Sequence, residues 1–334
     1  MAKASLNYRT LKLSQIFISQ RSYSQSQLTN AEVRKKRNDI FEKELQRQLS
    51  VIPAIQKINV EYKGESENIS LLMNKNLSTP FNCAMHISEL IRDRSVIALV
   101  NGRPWDMHRP LEEDCELKFM HFKDRKPELV NKAFWRSCSF ILGHILETVF
   151  KEKYYVELHS FPKPNLQSGS FVYDADLKID GWKPSSVELV NTSRAVSKLY
   201  SEKIKFQRLE VDASIASRMF EDNRFKSVQV DQIAAQSTSG NTVTVYRMKD
   251  HVDMSRGPLI STTDQIFRFN ITAVHEINSD YGKLNRVQGM AIPKQLPIHY
   301  WAYDLLCERA AKLNTNDLPS FNNNSNRSAK AYSS

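Results

Sequence analysis

The sequence predicts an α+β chain built as two folded units, a small sheet-and-helix unit over residues 57–123 and a larger α/β unit over 124–312. Three observations predict it. Short runs such as Lys57-Ile58-Asn59-Val60-Glu61-Tyr62 and Thr242-Val243-Thr244-Val245-Tyr246 alternate with the period of a half-buried strand. Between such runs stand helix starts with Ser, Asp or Pro at the first positions. Asn101-Gly102 separates two strand-like runs, and both residues tolerate the positive φ of a tight hairpin.

Residues 1–23 carry Lys3, Arg9, Lys12 and Arg21, many serines and no acid before Glu32. Leu11, Leu13, Ile16, Phe17 and Ile18 can share one helical face. A basic, acid-free amphipathic start has the pattern of a mitochondrial transit peptide, with cleavage expected after Tyr23. Part of the chain's formal +10 charge therefore belongs to targeting. Residues 24–56 form a basic helical extension. Its helix spans about 30–50, with Asn30 as the expected cap and Glu32 in the first turn. Arg34, Lys35, Lys36, Arg37, Lys43 and Arg47 interleave with Ile40, Phe41 and Leu45. Such a helix either is a solvated surface element or lays cations on phosphates, and its weak apolar stripe predicts docking outside its own unit.

In residues 57–123 the first strand is followed by Gly64 and a second strand, Ile69 to Met73. Ser78-Thr79-Pro80 opens a helix whose apolar face is Cys83, Ile87, Leu90 and Ile91. Val96–Val100, a return strand at Trp105, and Cys115–Phe119 complete the sheet. Two strands, a helix and further strands in about 65 residues suggest a β-grasp fold.

The larger unit opens with a long helix from Pro127-Glu128. Strands follow at Tyr155–Leu158 and Ser170–Leu177. Ser185 and Glu188 have capping-box spacing, and Asp212 starts a helix reaching Phe220. Ser227–Val230, Thr242–Tyr246 and Phe267–Ile271 read as strands, and Pro297 begins a last helix through Trp301, Leu305 and Ala310. Residues 313–334 are rich in Asn and Ser and are expected to be disordered.

The four cysteines, Cys83, Cys115, Cys138 and Cys307, show no zinc-site spacing and read as reduced, mostly buried thiols. No apolar run reaches the ~20 residues of a membrane span. There is no dinucleotide or phosphate-binding glycine loop, no nucleophile elbow and no H-E-x-x-H.

Two segments carry the most information: Trp135-Arg136-Ser137-Cys138-Ser139-Phe140-Ile141-Leu142-Gly143-His144 and Asp253-Met254-Ser255-Arg256-Gly257-Pro258-Leu259. Both resemble the editing domain of threonyl-tRNA synthetase, as do Gly169–Asp174, Phe206–Phe225 and Arg286–Gly289. In that family the first segment holds His-x-x-x-His and the second Cys-x-x-x-His. The matching residues here are Arg136 and Phe140, then Ser255 and Leu259. Phe140 and Leu259 offer no donor or acceptor, and Arg136 can be neither base nor metal ligand. The resemblance thus implies an editing-like fold with its catalytic residues lost at Arg136, Phe140, Ser255 and Leu259, with no cofactor and no metal. His144 stays and reads as a core histidine, and loop packing is the default role for His251 and Asp253.

Residues 57–123, with Val100-Asn101-Gly102, resemble the TGS domain of the same synthetases. The combination, with Leu72–Asn76, Trp105-Asp106-Met107 and Trp135–Cys138, is similar to a family of mitochondrial large-subunit ribosomal proteins. That resemblance implies a non-catalytic structural role in the matrix, with mitochondrial ribosomal RNA and other large-subunit proteins as partners. Arg34, Lys35, Lys36, Arg37, Lys43 and Arg47 are then the candidate RNA contacts. An RNA-binding regulator and a freestanding tRNA deacylase are the alternatives.

Overall fold

The computed structural model describes residues 28–52, 55–64, 67–179 and 181–318. The expected transit segment, 1–23, and the tail beyond 318 lie outside them. Helix α1 (Asn30–Ser50) starts in a capping box one residue earlier than expected. The Thr29 hydroxyl accepts from the Glu32 amide, and the Glu32 carboxylate accepts from the Thr29 amide at 2.8 Å. Asn30 is not the cap: its side-chain amide donates to the Tyr154 carbonyl at 2.8 Å.

The first unit holds β1 (Lys57–Lys63), β2 (Asn68–Asn74), α2 (Pro80–Ile87), α3 (Glu89–Arg94), β3 (Ile97–Val100), β4 (Arg103–Trp105) and β5 (Cys115–Met120). Its five strands lie in the order β2-β1-β5-β3-β4, with β1 and β5 parallel and the other pairs antiparallel. Alternation along β1 turns Ile58, Val60 and Tyr62 inward, where Cys83 and Ala84 of α2 cover them with Leu111 and Leu117. Asn101 and Gly102 take φ of 49° and 75°, so the β3–β4 hairpin turns as its sequence demands. The single helix expected through Ile91 is broken at Ser88. Its extended backbone ends α2, and its hydroxyl accepts from the Leu90 amide at 3.1 Å to begin α3.

The second unit holds α4 (Glu128–Val149), β6 (Glu157–Ser160), β7 (Phe171–Asp176), α5 (Ser186–Ser201), β8 (Gln207–Asp212), α6 (Ala213–Phe220), α7 (Arg224–Ala235), β9 (Thr242–Met248), β10 (His251–Met254), β11 (Ile266–Ser279), β12 (Gly282–Pro293) and α8 (Tyr300–Ala310). It has a four-stranded sheet, β11-β12-β7-β6, and a three-stranded sheet, β10-β9-β8. Ser227–Val230 is not a strand: it lies within α7, which Asn223 caps by accepting from the Phe225 and Lys226 amides.

The core of this unit is built around α4, whose residues from Ser137 to Glu147 are all buried. Ile141, Leu142 and Ile145 belong to one apolar cluster with Phe171 and Tyr173 of β7, Phe269 of β11 and Val287 of β12. Val96, Ile97, Met120 and Phe122 of the first unit belong to that same cluster, so the two units share apolar packing. A second cluster sits between the small sheet and α6 and α7, and Phe41 of α1 is fully buried in it. Residues 313–318, expected in the disordered tail, are fastened instead. The buried Asn314 donates to the Ser170 carbonyl at 2.9 Å and from its backbone to Gln288 at 3.1 Å. Arg286, which forks onto Asp174 at 2.8 Å, also donates to the carbonyls of Asn314 and Asn316. Composition alone hid these polar partners.

Candidate functional site

Arg136 and Phe140 are four residues apart on α4, so both face the segment that leaves β10. Ser255 and Leu259 lie on that segment, which Arg136 and Ser137 tie to α4 through the Pro258 carbonyl and the Ile260 amide. What meets there is packing. Phe140 has no exposed surface. Its ring meets those of His251, Phe206 and Tyr246 edge-on, with centroids 4.9, 5.8 and 6.3 Å away. Leu259 is buried too. Arg136 donates to the Pro258 carbonyl at 2.9 Å, and the Ser255 hydroxyl accepts from the Gly257 amide at 3.3 Å. Among the described residues no three His, Cys, Asp or Glu are placed to hold a metal. A groove of about 500 Å³ lies elsewhere, between the end of α1, His108–Glu112 and β8.

Gly257 explains why the turn keeps its shape. Its φ is +60°, and a Cβ there would stand 1.8 Å from the Tyr246 hydroxyl oxygen. That hydroxyl donates at 2.8 Å to Asp106 of the first unit, which also accepts from the Leu259 amide at 2.9 Å. Burial pushes the Asp106 carboxyl up, against the opposing pull of the Leu259 amide and Arg208. Asp106→Ala is expected to leave two buried donors unsatisfied and to cost about 2 kcal/mol or more, with Asp106→Asn milder, read from urea midpoints. Equal midpoints for native and alanine forms would exclude this role.

A polar core lies beside Phe140. Buried His251 donates from Nδ1 to Glu147 at 2.7 Å, and Arg37 of α1 donates to the same carboxylate. Arg37 also reaches the Val252 carbonyl at 3.0 Å, while Arg34 bonds the Glu147 carbonyl and pairs with Asp250 at 3.0 Å. Behind them Lys226 pairs with buried Asp253 at 2.6 Å and donates to the Tyr173 hydroxyl, which donates to Asp253. Burial alone would raise the Glu147 carboxyl, but Arg37 and His251 more than offset it and hold it well below the usual carboxylate range.

These contacts correct the reading of α1 as a basic anchor. Arg34 and Arg37 are buried, Lys36 pairs with Glu221 at 2.5 Å and Asp222 at 2.6 Å, and Arg47 pairs with Glu44 at 2.6 Å. Lys35 and Lys43 are exposed, with no ion pair among the described residues. The signal for this was Glu147, an acid inside an apolar helical run, which needs a cation when buried.

Burial, aided by Lys205 for His108, by His251 for His144 and by Lys226 for His159, pushes these three imidazoles down to about 4. Each folded value lies below the unfolded one of about 6.5, so the unfolded chain binds more protons between them. Stability is expected to be level above about pH 6.5 and to fall as pH drops toward 4, with nearly three protons taken up on unfolding. Urea midpoints that stay constant from neutral pH to about pH 5 would contradict this assignment.

Residues 72–121 match the TGS domain family. Large ribosomal subunit protein mL39 of Drosophila melanogaster is 43% identical over 287 residues, which cover 85% of this chain and 86% of that protein. The chain belongs to the mL39 family. Cytoplasmic threonine–tRNA ligase 1 of Bos taurus and of Homo sapiens is each 32% identical over 228 residues. Those residues make up 67% of this chain and 29% of either ligase. The mL39 family match therefore runs nearly end to end, whereas the ligase match takes in under a third of each enzyme.

Proposed function

We propose that the chain is a non-catalytic structural constituent of the mitochondrial large ribosomal subunit, acting in the matrix. Near end-to-end similarity to large ribosomal subunit protein mL39 carries this reading. The filled site supports it: Phe140 and Leu259 occupy positions where the editing family has histidines, and Arg136 and Ser255 are spent on backbone bonds. Residues 57–123 then serve as a TGS-like docking unit and 124–312 as an editing-like one, with 1–23 as the address. Ribosomal RNA and neighbouring large-subunit proteins are the proposed partners, and Lys35 and Lys43 are the cations of α1 left for phosphate.

The test is sedimentation of a mitochondrial lysate. The full chain should run with the large subunit, and recovery of it all as free protein would end the reading. In parallel, the purified chain should release no amino acid from mischarged threonine tRNA. Turnover abolished by changing Ser255 or His144 would restore the deacylase alternative.

A further inference from the structure

The seam between the two units gathers cations, three of which are outside any close ion pair among the described residues. The end of α3 is tied to the second unit by two bonds: Gln265 donates to the Ser95 carbonyl and Gln295 to the Arg94 carbonyl, both at 2.7 Å. Lys294, beside Gln295, and Lys203, in the turn after α5, are both exposed. They share a neighbour: the Asp93 carboxyl is held below its ordinary range by its hydrogen bond from Arg92, with Lys203 and Lys294 adding to the effect. The Lys294 amide donates to the Gln265 carbonyl at 2.7 Å, and the amide of Ile204, next to Lys203, donates to the Thr263 hydroxyl at 2.9 Å, so three chain segments bring Arg92, Arg94, Lys203 and Lys294 to one seam. The acids there are committed, because Arg92 bridges Asp93 at 2.8 Å and Glu89 at 3.7 Å, and Glu202 pairs with Lys249 at 2.6 Å. Arg94, Lys203 and Lys294 make no ion pair among the described residues.

The chain then runs from Lys294 into an uncovered aromatic surface. Leu296, Pro297 and His299 are exposed, and Tyr300 and Trp301 keep 60% and 65% of their surface. The His299 and Tyr300 rings pack tilted by 40°, with centroids 4.4 Å apart. Tyr303 and Ala310 turn the other face of α8 into its own small core with Met290, so Trp301 and Leu305 point away from it. Tyr300 is six steps along the chain from Lys294, which limits their separation to about 20 Å.

Cations held in no close ion pair fit phosphates, and bare aromatic faces fit unpaired bases. A paired duplex presents phosphates but hides its base faces, so it would use only half of this surface. We infer that Arg94, Lys203 and Lys294, with the His299–Trp301 aromatics, form a docking surface for an unpaired RNA strand. This rests on the ribosomal reading and names the chemistry of one partner.

The test uses the full chain, a labelled oligouridylate of about 20 nucleotides and an RNA duplex of equal length. The native chain should bind the single strand more tightly than the duplex. Arg94→Gln, Lys203→Gln and Lys294→Gln together should weaken single-strand binding about 10- to 100-fold and flatten its log–log salt slope by about 2. Trp301→Ala should weaken the single strand about 10-fold and leave the duplex unchanged. Lys203, Lys294 and Trp301 are exposed and Arg94 is half-buried, and native circular dichroism spectra confirm that the variants fold. Absence of binding by the native chain, a triple variant that binds like native, or equal loss on both RNAs from Trp301→Ala would overturn the inference. So would crosslinks from Trp301 to protein alone in isolated large subunits. If the native chain sediments with the large subunit while any of these results holds, only this inference fails. If it sediments free, the ribosomal reading fails.

Discussion

Glu147→Ala is expected to cost about 3–5 kcal/mol, because it leaves the Arg37 guanidinium buried without its counter-charge. Arg37 has little room for compensation: its Nε already lacks a partner, and the His251 Nδ1–H loses the Glu147 acceptor. Against a typical total of about 5–15 kcal/mol, the loss is a large fraction of stability. The visible result should be release of α1, so limited proteolysis should cut within 30–50 before the second unit is attacked. Removing both charges is the informative control. Arg37→Met with Glu147→Leu should recover most of the loss, less the cost of the stranded His251 N–H. A urea midpoint for Glu147→Ala within error of native would show that this carboxylate does not hold the helix.

Phe140→Ala should destabilise by a similar amount, about 3–5 kcal/mol, by opening a cavity among the rings of Phe206, Tyr246 and His251. The effect separates two roles for the position. A bystander beside a working cleft would tolerate truncation, whereas a plug would not. Phe140→His puts an imidazole back where the editing family has one, yet it should recover no hydrolysis, since Arg136, Ser255 and Leu259 are unchanged. Its desolvated ring should also lower stability at acidic pH. Thermal melts and a deacylation assay read the two outcomes, and a melting temperature unchanged in Phe140→Ala would refute the plug.

Local chemistry made much of the fold legible. The β1 alternation, the Asn101-Gly102 turn and the Ser185–Glu188 box each state their geometry within a few residues. The misreadings came where a short window carried two meanings. Ser227–Val230 alternates over four residues, but the cap at Asn223 places it inside α7. β10 was missed because His251 and Asp253 are poor strand residues, tolerated there by the buried network. Arg136, Phe140, Ser255 and Leu259 stand out only through the resemblance of their two segments to the editing family. The fate of the α1 cations was not legible, since Arg37 meets a carboxylate 110 residues away. Nothing within a helix reveals a partner that distant. Asp106 was visible only as part of a similar tripeptide, and its bonds to Tyr246 and Leu259 required the assembled chain.

The attachment of α1 also sets an order of events during synthesis. Among the described residues this helix emerges first, yet Arg37 must wait 110 residues for Glu147, and Arg34 must wait 216 for Asp250. Alone, a helix of 21 residues with a weak apolar stripe is only marginally stable in water. Its closure onto the body is therefore a late, long-range step in maturation. Among the described residues, the helix that leaves the synthetic machinery earliest is thus a latch that must wait for distant parts of the chain.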